Sequence, residues 1–218
     1  MTSLNVPLSA EAYETLLDHY LKSKQFSLAA DVLSEMKPSI LSFNKYIHFC
    51  TQNGEMERAE KAFSFMGGNA MPIPVSIMNM MIRGHGRRGH LEEALNMFDE
   101  MGNKYSMEPD SETYIALMDA SLAANDLNKS LWAFEKLDEL GFKVTINRVK
   151  TLVRGLCLER RKTDAFAVFN IAVTSGVPCD AAICSDLIDL LQQVISFVYY
   201  HFFVYYDESD TLAPWRPV

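Results

Sequence analysis

The sequence predicts an all-α solenoid of stacked helix-turn-helix units, and three observations carry that prediction. A small residue recurs at Ala29, Ala59, Ala94, Ser130 and Ala165, at intervals of 30, 35, 36 and 35. A second marker, Met36, Met66, Met101, Leu137 and Ala172, steps by the same intervals. Around both markers the apolar residues recur at helical spacing. Two markers moving in lockstep divide the chain into units at 10–39, 40–74, 75–110, 111–145 and 146–180, with 181–193 opening a sixth. Residues 1–9 form a short lead, and 194–218 a tail outside the repeats.

Each unit supplies two helices in turn. The second helices of the first three units read SKQFSLAADVLSEM at 23–36, NGEMERAEKAFSFM at 53–66 and RRGHLEEALNMFDEM at 87–101, one amphipathic pattern restated. In the third unit Met78, Met81, Ile82 and His85 make the stripe of the first helix. Leu91, Ala94, Leu95, Phe98 and Met101 make the stripe of the second, which places Phe98 in the core. Gly89 breaks the two apart, because glycine accepts the left-handed conformation that ends a helix. Pro109 stops the second helix, and Asp110 and Ser111 cap the first helix of the fourth unit. The fourth and fifth units repeat the scheme around Ser130 and Leu137, then Ala165 and Ala172. The sixth opens with AAICSDLIDLLQQ and gives way to VISFVYYHFFVYYDESDTLAPWRPV, an apolar tail foreign to the pattern. One hairpin cannot bury both of its stripes, so consecutive hairpins must stack, here into a right-handed superhelix.

Composition narrows the function. The chain has 218 residues, 49% of them hydrophobic, enough for a substantial core. A net charge of −8 excludes a uniformly basic nucleic-acid surface, while leaving room for a local basic stripe. Cys50, Cys157, Cys179 and Cys184 show no CxxC spacing and read as reduced thiols. The start MTSLNVPLSAEAY lacks the arginine-rich, acid-poor character of a transit peptide. The apolar run 194–206 is shorter than the roughly 20 residues a spanning helix needs, so no membrane span is expected.

Leu17, Ile47, Ile82, Met118, Val153 and Ile188 occupy the eighth place of successive first helices, where tetratricopeptide units carry glycine. With the 35-residue period, Tyr13 and Tyr114 near the start of their helices, GHGRRGHLEEALNMFDEM and the turn EPD at 108–110, the sequence resembles the pentatricopeptide repeat family, P-class type, over residues 10–193. The resemblance implies single-stranded RNA binding in a concave groove lined by the first helices, one base per repeat. It also implies action in organelle RNA processing, stability or translation, in a mitochondrion or chloroplast. In that family the fifth and last residues of a repeat choose the base together, while the second packs on its face. The corresponding pairs are Glu14 with Ser39, Asn44 with Pro74, Asn79 with Asp110, Ile115 with Thr145, and Lys150 with Asp180. Asn79 with Asp110 matches a familiar pair that resembles a uracil reader; Asn44 keeps the amide without an acceptor beside it. The second places hold Glu11, Leu41, Ser76, Glu112, Asn147 and Ala182.

Two first helices are basic and supply candidate phosphate contacts: Arg83, Arg87 and Arg88 in the third unit, and Arg148, Lys150, Arg154, Arg160, Arg161 and Lys162 in the fifth. His85 and His90 lack a third ligand at zinc spacing, and the methionines of IMNMMI at 77–82 match the core stripe. No deaminase signature, phosphate-cradling glycine loop or nucleophile elbow is present, so neither an enzyme nor a cofactor or metal is expected. The acidic balance and the sparse recognition pairs favour one alternative, a scaffold that uses the same groove for protein partners.

Overall fold

The computed structural model describes residues 9–36 and 39–177, together with Ser185 and Ile188. The expected tail, the lead before Ser9 and the sixth unit apart from those two residues lie outside them. The described residues form ten α-helices and no strand: α1 (Ala10–Lys22), α2 (Phe26–Glu35), α3 (Ile40–Gln52), α4 (Met56–Gly68), α5 (Val75–Arg87), α6 (Leu91–Asn103), α7 (Ser111–Ala123), α8 (Leu127–Glu139), α9 (Ile146–Leu158) and α10 (Lys162–Thr174). None is long and apolar enough to cross a membrane.

Among the described residues, side chains cap three of the first helices and one second helix, and a left-handed turn recurs in every hairpin. Ser9, Ser39, Asp110 and Asp126 each accept a bond from the backbone N–H three residues on, satisfying a donor that the first turn would otherwise leave orphaned. The turn inside each hairpin passes through a left-handed residue at Lys24, Gly54, Gly89, Asn125 or Arg160. Gly89 adopts it, φ 77°, without the steric penalty that a Cβ would bring.

Two compact units make up the chain, Met1–Phe142 and Lys143–Val218. In the first, α1 to α8 form four hairpins, and the first helices pack in series, α1 on α3, α3 on α5 and α5 on α7. In the second, α9 and α10 pair as one hairpin. The residues that set the register are the buried ones. Leu17, Ile47, Ile82 and Met118 are wholly buried in the first unit, as are Ala29, Ala59 and Ala94, where a small side chain lets the helices approach closely. Ser130 takes the alanine's place at no polar cost, because its buried hydroxyl donates to the Asp126 carbonyl at 2.8 Å. Val153 and Ala165 hold the same places in the second unit, also fully buried.

One contact departs from the repeat. A Cβ added at Gly86 would collide with the Ala120 Cβ and lie 2.9 Å from the Ala120 Cα, so α5 and α7 meet backbone to backbone. Gly86→Ala should gain the ~0.5–1 kcal/mol of helix preference but lose ~1–3 kcal/mol to overpacking, a net destabilisation that a thermal melt would register. A melting temperature at or above that of the parent would show that the helices can part freely here.

Phe98 is a correction. It is half-buried where its register predicts full burial, because its ring packs edge-on against Trp132 and tilted against Tyr114, with centroids 5.7 and 6.0 Å away, at the partly solvated surface between α6 and α8.

Candidate nucleic-acid interface

The series of first helices in the first unit places the fifth residue of α5 beside the cap of α7. Asn79 is 6% exposed. Its Nδ2 donates to Asp110 Oδ1 at 2.9 Å, and its Oδ1 accepts from the Thr113 hydroxyl at 2.7 Å. Because a carboxylate can only accept, the bond to Asp110 identifies the nitrogen side of the amide. Asp110 also accepts from the Thr113 backbone N–H at 2.9 Å, and its own N–H donates to Thr113 Oγ1 at 3.1 Å, so the box that starts α7 is the same device that orients Asn79. Partial burial alone would raise the Asp110 pKa; the bonds from Thr113 and Asn79 outweigh it and hold the carboxyl below its ordinary value, ionised at neutral pH.

The Thr113 hydroxyl has one proton and two acceptors in reach, Asn79 Oδ1 and Asp110 Oδ1, the latter at 2.9 Å. A ligand that donates to Asn79 Oδ1 therefore need not strand that proton, which can turn to the carboxylate. What remains of the amide is one N–H and one oxygen lone pair. That donor beside an acceptor complements the Watson–Crick edge of a pyrimidine.

The first repeat carries a variant of the same network. The Ser42 hydroxyl donates to Glu14 at 2.5 Å, while Ser39, the cap of α3, lies 2.8 Å from Ser42 Oγ. The Ser42 bond holds the Glu14 carboxyl below its usual range, helped by Lys45, which also bridges Glu14 and Asp18 at 3.0 Å each. In the second repeat the cap is Pro74 and the third residue of the next helix is Ile77, neither with a side chain that can hydrogen-bond. Asn44 Oδ1 is accordingly buried without a partner. In the fourth, Ile115 is buried and offers no polar group. Lys150 is half-buried in α9, Thr145 caps that helix and accepts from Arg148 at 3.2 Å, and Asp180 lies outside the described residues.

The basic residues separate into two kinds. Arg83 is not a free phosphate ligand, because its guanidinium pairs with Glu112 at 2.8 Å, one repeat further along. That pair is largely solvated and worth ~0–1 kcal/mol, so a phosphate can compete for it. Arg87 and Arg88 are exposed at the hairpin turn and form no ion pair among the described residues. His85 is buried with Nδ1 unpartnered, and burial lowers its pKa, so it packs as a neutral ring; His90 is exposed at the start of α6. Sequence reasoning found Asn79 and Asp110 but missed Thr113, Ser42, Lys45 and the Glu112 counter-ion. The Asp110-x-x-Thr113 spacing was the available signal for the first of these.

Known proteins supply the comparison. Family models match the chain at three places, one described as the PPR repeat family at residues 74–122 and one described as PPR repeat at 11–37 and 41–69. A mitochondrial pentatricopeptide repeat-containing protein of Arabidopsis thaliana is 27% identical over 135 residues, covering 62% of this chain and 16% of the relative. Another from the same plant is 25% identical over 183 residues, covering 84% and 35%. The chain thus spans little more than a third of the longer match and less of the other. Among solved structures, pentatricopeptide repeat protein PPR10 in complex with an 18-nt psaJ RNA element superposes with a TM-score of 0.71 at 18% identity, over 85% of this chain and 28% of that one. The PPR domain of the Arabidopsis thaliana protein-only RNase P 1, in complex with tRNA, gives 0.68 at 12% identity, over 82% and 96%. At these identities the likeness establishes the fold, an α-solenoid of helical hairpins.

Proposed function

The chain belongs to the pentatricopeptide repeat family, and from that premise we propose that the side of its first unit built by α1, α3, α5 and α7 binds single-stranded RNA as a non-catalytic adaptor. The observation that carries the reading is the Asn79–Asp110–Thr113 network: a buried amide, oriented by two protein partners, with one donor and one acceptor to spare. Two neighbours of the fold are named as complexes with RNA, and their use of it supports the same use here. Relatives named mitochondrial or chloroplastic support an organelle as the place of action, in RNA processing, stability or translation. The third repeat is the selective one and prefers a pyrimidine, with uracil favoured; the first, second and fourth lack an oriented amide. Arg87 neutralises a phosphate beside it.

A gel-shift series with random RNA pools at two salt concentrations tests the reading. Affinity should fall steeply with salt, and Arg87→Ala should weaken all sequences alike while reducing the salt slope by about one. Absence of RNA affinity at low salt would leave the scaffold reading, which the internal pairing of Lys45 and Arg83 with acids favours.

A further inference from the structure

The repeat register lets one part of the molecule show what another part lacks. Trp132, the sixth residue of α8, lays its ring against Phe98, the eighth of α6, and Tyr114, the fourth of α7, with both centroids 5.7 Å away. That indole fills the middle of the outer cleft between α6 and α8, which stays open toward the hairpin turns, at Leu91, Leu95 and Lys129. Two repeats earlier, the same three places hold Lys61 in α4, Leu33 in α2 and Phe43 in α3. A lysine cannot do what the indole does, and the cleft stays open: about 510 Å³, walled by Leu33 and floored by Phe43, on which Phe65 stacks at 5.7 Å. Phe65 is 51% exposed, so one side of its ring lacks an apolar neighbour.

The mouth of the cleft is cationic. Arg58, Lys61 and Arg88 line it, against Glu55 and Glu57. Glu55 is committed to Arg58 at 3.2 Å, whereas Lys61 and Arg88 form no ion pair among the described residues. In a chain of net charge −8 this is a local excess of positive charge around an aromatic slot. It shares no residue with the Asn79 network, although its Arg88 adjoins Arg87 in sequence.

We propose that the cleft between α2 and α4 docks a peptide segment of a protein partner, one that lays an aromatic side chain against the exposed ring of Phe65, above the buried Leu33 and Phe43, and sets flanking carboxylates against Lys61 and Arg88. The docked ring occupies the register place that Trp132 fills beside Phe98 and Tyr114. The carboxylates neutralise the cations that surround the cleft, and the ring covers Phe65. This inference is independent of the RNA reading.

The test is fluorescence anisotropy of the full chain with a labelled acidic peptide, Glu-Asp-Trp-Glu-Asp, and with the same peptide carrying Ala for Trp. The expected result is saturable binding of the tryptophan peptide alone, weaker at high salt. Lys61→Trp fills the slot from within, so it should raise the melting temperature and weaken the peptide by about tenfold or more, as loss of an anchor pocket does. Phe65→Ala, at a half-exposed position, should weaken it as well. The proposal is overturned by any of three results: no saturable binding up to millimolar peptide, equal binding by the parent and a folded Lys61→Trp, or displacement of the peptide by an RNA oligonucleotide.

Discussion

Phe134→Ala should destabilise the folded chain by ~3–5 kcal/mol, the cost of removing a large aromatic ring from a site that cannot collapse to fill it. Phe134 is the eighth residue of α8 and 2% exposed, in a hairpin whose two helices pack closely on each other. At roughly 2–4 °C per kcal/mol for a chain of this size, the melting temperature should fall by ~6–20 °C. A solenoid spreads stability over nearest-neighbour contacts, so the loss should concentrate in α7 and α8, where amide exchange would accelerate most. Phe98→Ala provides the control, because it removes the same side chain from the same register place, where the ring is half-buried. The two should differ clearly. Equal shifts in melting temperature would mean that register, and not burial, sets the cost, and would undo the packing account given above.

That pair of phenylalanines also shows how far the sequence carries. The helices were legible because the residues that set the register, Leu17, Ile47, Ile82 and Met118 with Ala29, Ala59 and Ala94, are buried in the structure. Periodicity reports on the face of one helix, and that face is what packs in every repeat. It does not report on what lies across a gap. Phe98 keeps the core register yet meets Trp132 and Tyr114 near solvent, because α6 and α8 do not pack directly on each other and side chains fill the space between them. Arg83 reads as a free cation in its own repeat; its counter-ion Glu112 lies 29 residues on, close only because α5 packs on α7. The candidate site was half legible for the same reason. The fifth and last residues were visible as a pair, while Thr113, which turns that pair into an oriented network, belongs to the following repeat.

Asn79→Ala should flatten discrimination at a single nucleotide by ~1–3 kcal/mol, the scale of a good side-chain-to-base pair in DNA readers, and leave the salt slope unchanged. The mutation removes the one oriented fifth-place amide among the described residues, and no charge goes with it. Its structural cost is bounded: Asp110 keeps the Thr113 backbone bond that caps α7, and the freed Thr113 hydroxyl still reaches Asp110 Oδ1 at 2.9 Å. A melt of the variant should therefore stay near that of the parent. Thr113→Val reaches the same amide from the other side. It deletes the hydroxyl that accepts from the Asp110 N–H and holds Asn79 Oδ1, so it should blunt discrimination without abolishing it, and Thr113→Ser should restore it. Arg87→Ala should do the reverse, lowering affinity for every sequence and leaving preference intact. The outcomes separate cleanly. Unchanged preference in Asn79→Ala would assign selectivity elsewhere, whereas an even loss across sequences in both Asn79→Ala and Arg87→Ala would mean that the protein grips RNA by its backbone and does not read the base that Asn79 faces.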